Sequence, residues 1–265
     1  MKTADIKPLL QNMENLLEGN HIIVTFLGSG DNFGSGGRDQ SCIHVASAGG
    51  SMLLDCGATV LVSMRKLSFD PGDIDAILIS HLHGDHFGGL PFFILDAQLI
   101  TRRTRPLLIA GPPGLGKRVQ EAMEVFYPGS WEAKRNFDIQ FMEIEPDIPS
   151  VIASFTVMPA IAVHGSGAPS YSCRIGCGEK VLGYSGDSEW CRGLLQTADG
   201  TDLFICEAYY FEKVMKNHLS YKTLSDHLDE IKSRKIILTH MGQDMLDRLD
   251  EVELETAYDG MQIVV

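Results

Sequence analysis

The sequence predicts an α/β protein, an αββα sandwich of two mixed β-sheets with helices on both outer faces. Three observations lead there. Hairpin-like strand pairs and β/α alternation are mixed in both halves of the chain, which fits neither a purely parallel nor a purely antiparallel sheet. The 265 residues, 44% of them hydrophobic, can bury a sizeable core. No linker-like or low-complexity stretch interrupts residues 21–265, so these are expected to form one domain behind an N-terminal helix.

The elements follow in order. Within residues 1–20, Ile6, Leu9, Leu10, Met13, Leu16 and Leu17 fall at helical spacing and the pattern stops at Gly19-Asn20, predicting an amphipathic helix. Such a helix can pack on its own domain, cover the site as a lid or form a homodimer contact. "IIVTFLG" (22–28) reads as a buried strand, and "CIHVAS" and "SMLLDCG" read as hairpin arms around Ala48-Gly49-Gly50. The pattern then predicts a helix over 58–67, a strand at 75–80, a helix over 88–102, a strand at 106–110 and a helix over 114–127. Strands are predicted at 136–144, 154–163, 171–176, 180–184 and 202–206. A helix over 221–233 and strands at 235–239 and 261–265 complete the chain.

Composition removes some functions. With 22 basic and 35 acidic residues the net charge is −13, which leaves no global basic surface for a phosphate backbone. Six cysteines are scattered without the density of a disulfide scaffold, and no basic-then-apolar segment opens the chain, so a cytoplasmic protein with reduced thiols is expected. No apolar run approaches the roughly 18 residues of a membrane span.

Two glycine-rich stretches imitate nucleotide sites. "GPPGLGKR" (111–118) matches a phosphate loop up to Arg118, where a magnesium-binding hydroxyl belongs, and Pro112 and Pro113 remove N–H donors the cradle needs. "GSGDNFG" (28–34) has Phe33 in place of the third glycine of a dinucleotide fingerprint. The longer loop 28–40 reads instead as a pocket wall, with Phe33 and Arg38 available for stacking or anion contact.

The chemistry concentrates in "ILISHLHGDHFGG" (77–89). His81 and His83 project to one side of an extended backbone, and a tight turn at Gly84 would bring Asp85 and His86 round to join them. Imidazole with carboxylate suits zinc or a similar borderline divalent metal. His164 ends "FTVMPAIAV", His240 ends "KIILT" and Asp187 lies in "YSGDS", so each also sits just past a strand, where distant segments can meet. His21, His44 and His227 lack that setting and read as structural or solvent-facing.

H-x-H-x-D-H after a strand, a later isolated His, an Asp in a "GD" turn and a final His after a strand resemble the metallo-β-lactamase superfamily of binuclear hydrolases. The resemblance implies the αββα fold and two divalent metal ions, zinc first, with manganese and iron as alternatives. It places His81, His83 and His164 on one metal, Asp85, His86 and His240 on the other, and Asp187 between them. "CEAYYFEKVMKNHLSYKTL" (206–224) is similar to the "EA…H-S/T" segment of the ribonuclease Z branch of phosphodiesterases, where the residue matching His218 lies beside the scissile phosphate, oriented by the one matching Glu207. The basic arm that grips tRNA in that branch has no counterpart in the spacing of 187 − 164 = 23 residues from His164 to Asp187.

The resemblance therefore implies a binuclear hydrolase of a small or cyclic phosphodiester, using a metal-bridging hydroxide, and argues against tRNA. Asp85 would take a proton from the attacking water. His218, oriented by Glu207, would face the leaving group. A sulfatase, lactonase or thioesterase, a di-iron redox protein and a non-catalytic metal-binding scaffold are the alternative readings.

Overall fold

The computed structural model describes residues 21–265. The expected N-terminal helix lies outside the described residues. One sheet contains β1 (Ile23–Gly28), β2 (Cys42–Ser47), β3 (Gly50–Leu54), β4 (Ala76–Leu78), β5 (Leu107–Gly111), β6 (Ile139–Glu143) and β14 (Gln262–Val264). Their spatial order is β14-β1-β2-β3-β4-β5-β6. The other contains β7 (Ser150–Ile152), β8 (Phe155–Ala162), β9 (Ser170–Cys177), β10 (Lys180–Tyr184), β11 (Leu203–Glu207), β12 (Ile236–Thr239) and β13 (Glu255–Thr256), in the order β13-β12-β11-β10-β9-β8-β7.

Both sheets are mixed. β3 to β6 run parallel, as do β10 to β13, while the hairpins supply the antiparallel pairs. Every residue of β1, β2, β4 and β11 is buried, because these strands are covered on both faces.

Three apolar clusters hold the layers. Phe26, Val45, Leu54, Phe155, Tyr171 and Ile205 fill the space between the sheets. Leu53, Ile77 and Ile109 turn the opposite way to meet Met64, Phe93 and Val119 from the helices Val60–Lys66, Leu90–Leu99 and Leu115–Phe126. On the far side Phe204, Cys206 and Leu238 pack against Leu194, Leu224 and Met245. Each large side chain buried this way contributes about 1.5–3 kcal/mol.

Some elements differ from the sequence pattern. The helix expected over 221–233 is Tyr221–Asp226, started by Ser220, whose hydroxyl accepts the Thr223 N–H. It stops at His227 (φ −120°), whose ring is stacked on Trp190 with centroids 4.4 Å apart, and a short 3₁₀ turn, Leu228–Glu230, follows. The two- and three-residue strands β13 and β7 and the seven-residue helix Arg192–Ala198 were too short to produce a readable period. At the false phosphate loop the Gly114 N–H donates to the Glu143 carboxylate at 2.8 Å, so that donor is engaged by the protein itself.

His44 lies inside β2, buried, edge-on to Phe69 at 4.9 Å, and its Nδ1 has no hydrogen-bond partner. Burial lowers its pKa to about 4, so the ring is neutral. Among the described residues no helix is long and apolar enough to cross a membrane.

Candidate metal centre

The site forms where strands from both sheets end on one edge. β4 leads into the loop carrying His81 and His83, β8 into His164, β10 into Asp187 and β12 into His240, while Glu207 is the last residue of β11. A sandwich thereby brings together residues as far apart in sequence as 81 and 240. Gly84 corrects the expectation of a glycine-dependent tight turn. Gly84–Phe87 is a helical turn that swings Asp85 and His86 inward, and Gly84 has no positive φ. A Cβ at this position would meet nothing within 4 Å, and Gly84 lines the cavity described below, so its missing side chain keeps that space open.

All seven expected ligands converge. His81, His83 and His164 form one cluster of donor atoms and Asp85, His86, Asp187 and His240 another, the atoms within each lying no more than 4.8 Å apart. Asp187 Oδ2 stands between them, 3.8 Å from His81 Nε2, 3.9 Å from His164 Nε2, 3.4 Å from His86 Nε2 and 3.2 Å from His240 Nε2. Asp85 Oδ2 lies 3.2 Å from His86 Nε2 and 3.8 Å from His240 Nε2. His83 Nδ1 faces His164 Nε2 at 2.8 Å.

A surrounding layer of residues orients these rings. Asp55 is fully buried, and its carboxylate accepts the Ser80 N–H at 2.7 Å, the Ser80 hydroxyl at 2.8 Å, the Tyr184 hydroxyl at 2.6 Å and the His86 Nδ1–H at 2.7 Å. His86 therefore carries its proton on Nδ1 and turns the Nε2 lone pair into the site. Ser80 spends its only hydroxyl proton on Asp55, so its oxygen accepts from His81 Nδ1 at 3.0 Å, and His81 too presents a bare Nε2. His164 Nδ1 donates to the Asn217 carbonyl at 2.6 Å, and His240 Nδ1 meets the Ser41 hydroxyl at 2.9 Å.

Several inward atoms have no protein partner. His81 Nε2, His86 Nε2 and Asp187 Oδ1 are buried without a hydrogen bond. An orphaned lone pair in a buried site is costly, and two clusters of nitrogen and oxygen donors with fixed tautomers fit divalent cations. The donor set thus suits the metals that the sequence pattern implies.

The electrostatics point the same way. Burial holds His81 well below the usual histidine pKa, as a neutral ligand requires. Burial opposes ionisation of Asp85 and Asp187 but is outweighed by His86 and His240. Asp85 falls to about 2 and Asp187 well below the usual carboxylate range. Burial works against a charged His240 as well, yet Asp187 raises it to about 9. A cation entering this cluster displaces protons, so metal uptake weakens in acid.

Glu207 and His218 lie beside this cluster. Glu207 is fully buried. One of its carboxylate oxygens receives the Ser188 N–H, and the other lies 3.0 Å from His218 Nδ1. Burial, then Asp187, push the Glu207 carboxyl up to about 7. Burial disfavours a charged His218, but the hydrogen bond to Glu207 prevails and raises its pKa. His218 Nδ1 is 3.9 Å from Asp187 Oδ2, beside the metal ligands.

A cavity of about 260 Å³ opens over these groups, with Asn32, Phe33, His83, Asp85, Tyr209 and His218 among its walls. Phe33 is 78% exposed at this rim, in keeping with a pocket wall. Arg38 is not part of it. Its guanidinium donates to the Ala257 carbonyl at 2.5 Å and lies beside Asp259, which consumes it in closing the loop. Asp55 was within reach of the sequence reading, since it follows "SMLL" as His81 follows its strand. Ser41, Tyr184, Tyr209 and Asn217 carry no comparable signal.

The chain is similar to other proteins over most of its length. A ribonuclease Z of Lachnoclostridium phytofermentans is 25% identical over 285 residues, 88% of this chain and 91% of its own length. The metallo-beta-lactamase fold protein YhfI of Bacillus subtilis superposes with a TM-score of 0.74 at 20% identity, covering 93% of this chain and 100% of its own. The short form of human tRNase Z gives 0.74 at 24% identity, covering 91% and 98%. The protein is accordingly a metal-dependent hydrolase of the metallo-β-lactamase superfamily, close to its ribonuclease Z-like branch. The expectation that excludes tRNA draws no support from relatives named for ribonuclease Z. Residues 22–257 match the family model described as "Anti-Pycsar protein Apyc1", and the chain belongs to that family.

Proposed function

We propose that the chain is a phosphodiesterase acting on a small or cyclic phosphodiester. The observation that carries this is the Glu207–His218 pair, bonded at 3.0 Å and placed beside Asp187 at the cavity mouth. A protonated imidazole backed by a carboxylate suits charge that develops on a leaving oxygen. The volume of about 260 Å³ admits a phosphodiester with one modest substituent.

His81, His83 and His164 would hold one divalent ion and Asp85, His86 and His240 the other, with Asp187 shared. Zinc suits these donors, and so do manganese and iron. Two such ions, when bound, supply the positive charge that neutralises phosphate oxygens and lets water act as a nucleophile near neutral pH. Asp85, held at about 2, is ionised at any working pH and is the carboxylate placed to receive a proton from that water. His218 faces the leaving side, where it donates its proton. Gly84 leaves the approach to Asp85 unobstructed.

The test is hydrolysis of bis-p-nitrophenyl phosphate beside p-nitrophenyl sulfate and a lactone, by wild type and His218→Ala after metal analysis. Turnover of the diester alone, lost in the variant while its metals are retained, supports the reading. An inert diester with turnover of the sulfate or lactone would sink it. A precursor tRNA in the same series decides whether the site also accepts the substrate that the relatives' name implies.

A further inference from the structure

Tyr209 stands between the cavity rim and His218. Its ring stacks on the imidazole, with centroids 4.6 Å apart and planes inclined at 29°. On its other side lies Gly242, where a Cβ would come within 3.0 Å of the Tyr209 ring, so the glycine makes room for that ring. The Gly242 N–H also donates to the Tyr209 carbonyl at 3.0 Å, fixing the backbone beneath it. The Tyr209 hydroxyl engages the Asp31 carboxylate.

Asp31 is itself a junction. It is fully buried, and it gathers the rim loop by accepting the Phe33 N–H at 3.1 Å, the Ser35 N–H at 2.9 Å and the Ser35 hydroxyl at 2.8 Å. That carboxylate therefore anchors the loop that carries Asn32 and Phe33 and lies beside the phenol whose ring supports His218. His218 needs that support. Glu207 fixes its Nδ1, and of the rings around the imidazole, His164 edge-on at 5.1 Å, His240 at 5.9 Å and Tyr209 at 4.6 Å, Tyr209 is the one stacked most closely against a face.

We infer that Tyr209, seated against Gly242, is a positioning residue for His218, holding the imidazole toward the leaving group. The consequence for rate rests on the phosphodiesterase reading. The restraint on the ring rests on the geometry alone.

The experiment uses full-length, metal-loaded protein and two substrates of one shape, methyl p-nitrophenyl phosphate and methyl phenyl phosphate. A nitrophenolate leaves without help, whereas a phenolate needs the proton that a well-placed His218 gives. Tyr209→Leu is expected to slow the phenyl ester by roughly 10²-fold and the nitrophenyl ester by less than about 5-fold, with KM and metal content unchanged. Tyr209→Phe keeps the ring, loses the hydroxyl beside Asp31 and should fall between wild type and Tyr209→Leu on the phenyl ester. Equal slowing of both esters, or a raised KM with unchanged kcat, would place Tyr209 in folding or substrate binding and overturn the inference.

A second readout is independent of turnover. NMR relaxation of the labelled His218 ring should report wider motion in Tyr209→Leu than in wild type, and unchanged motion overturns the inference whatever the activities. A wild type inert toward both esters, with wider ring motion in the variant, would instead refute the phosphodiesterase reading and leave the positioning role standing.

Discussion

Replacing Asp55 tests how far the metal centre depends on its supports. Three donors converge on one oxygen, Oδ2: the Ser80 hydroxyl at 2.8 Å, His86 Nδ1 at 2.7 Å and the Tyr184 hydroxyl at 2.6 Å. The other oxygen receives only the Ser80 N–H, at 2.7 Å. In Asp55→Asn the amide oxygen takes the crowded position, so His86 keeps its tautomer and the NH₂ confronts a single backbone N–H. One unsatisfied buried donor costs about 1–3 kcal/mol.

Asp55→Ala orphans all four donors and leaves a non-glycine residue at φ 59° without the short polar side chain that eases this conformation. It should lose at least about 4 kcal/mol and weaken metal binding by roughly 10- to 100-fold, the range for residues that orient a ligating histidine. Asp55→Asn should bind metal within about 10-fold of wild type. Competition with a chromophoric zinc chelator gives the affinities, and denaturant unfolding of stripped and loaded protein gives the stabilities. If Asp55→Ala binds metal as tightly as wild type, or Asp55→Asn is the worse of the two, the tautomer argument is wrong.

The remaining predictions concern separate groups. His83→Ala, which removes one of three donors in its cluster, should reduce the metal content below two ions per chain and abolish turnover, as elemental analysis beside the diester assay will reveal. His218→Ala should keep the metals and slow diester hydrolysis by roughly 10²- to 10⁴-fold; normal activity would remove its assigned role. For His44 the folded pKa of about 4 lies below the ordinary histidine value of about 6.5, so the unfolded chain binds more protons between them. Its contribution to stability is therefore complete above about pH 6.5 and is lost as the pH falls toward 4, amounting to about 2 kcal/mol by pH 5. His44→Leu should flatten that part of the stability profile relative to wild type, and parallel profiles would refute the assignment.

What the sequence revealed depended on how local each signal was. His81, His83, Asp85 and His86 are crowded into six positions, and His164, Asp187 and His240 each follow an apolar run, so a pattern within about ten residues exposed them. The supports are different in kind. Ser41 reaches His240 across 199 positions and Tyr184 reaches Asp55 across 129, and a lone serine or tyrosine gives no local hint of such a partner. Asn217 holds His164 through a main-chain carbonyl, which any residue type could offer. Strands and long helices were legible for the same local reason, whereas the helix Arg192–Ala198 gains its place by lying across β8, β9 and β10, contacts invisible in seven residues of sequence.

The ligand set is divided between the two sheets. His81, His83, Asp85 and His86 follow β4 in one, while His164, Asp187 and His240 follow β8, β10 and β12 in the other. Cations bound there would act as rivets through the open edge of the sandwich. Removing them would leave the layers held by the apolar space between them and by hydrogen bonds across the seam, Tyr184 to Asp55 and Ser41 to His240. The catalytic edge is accordingly where the stripped protein should first breathe, and metal supply sets how firmly its two halves stay shut.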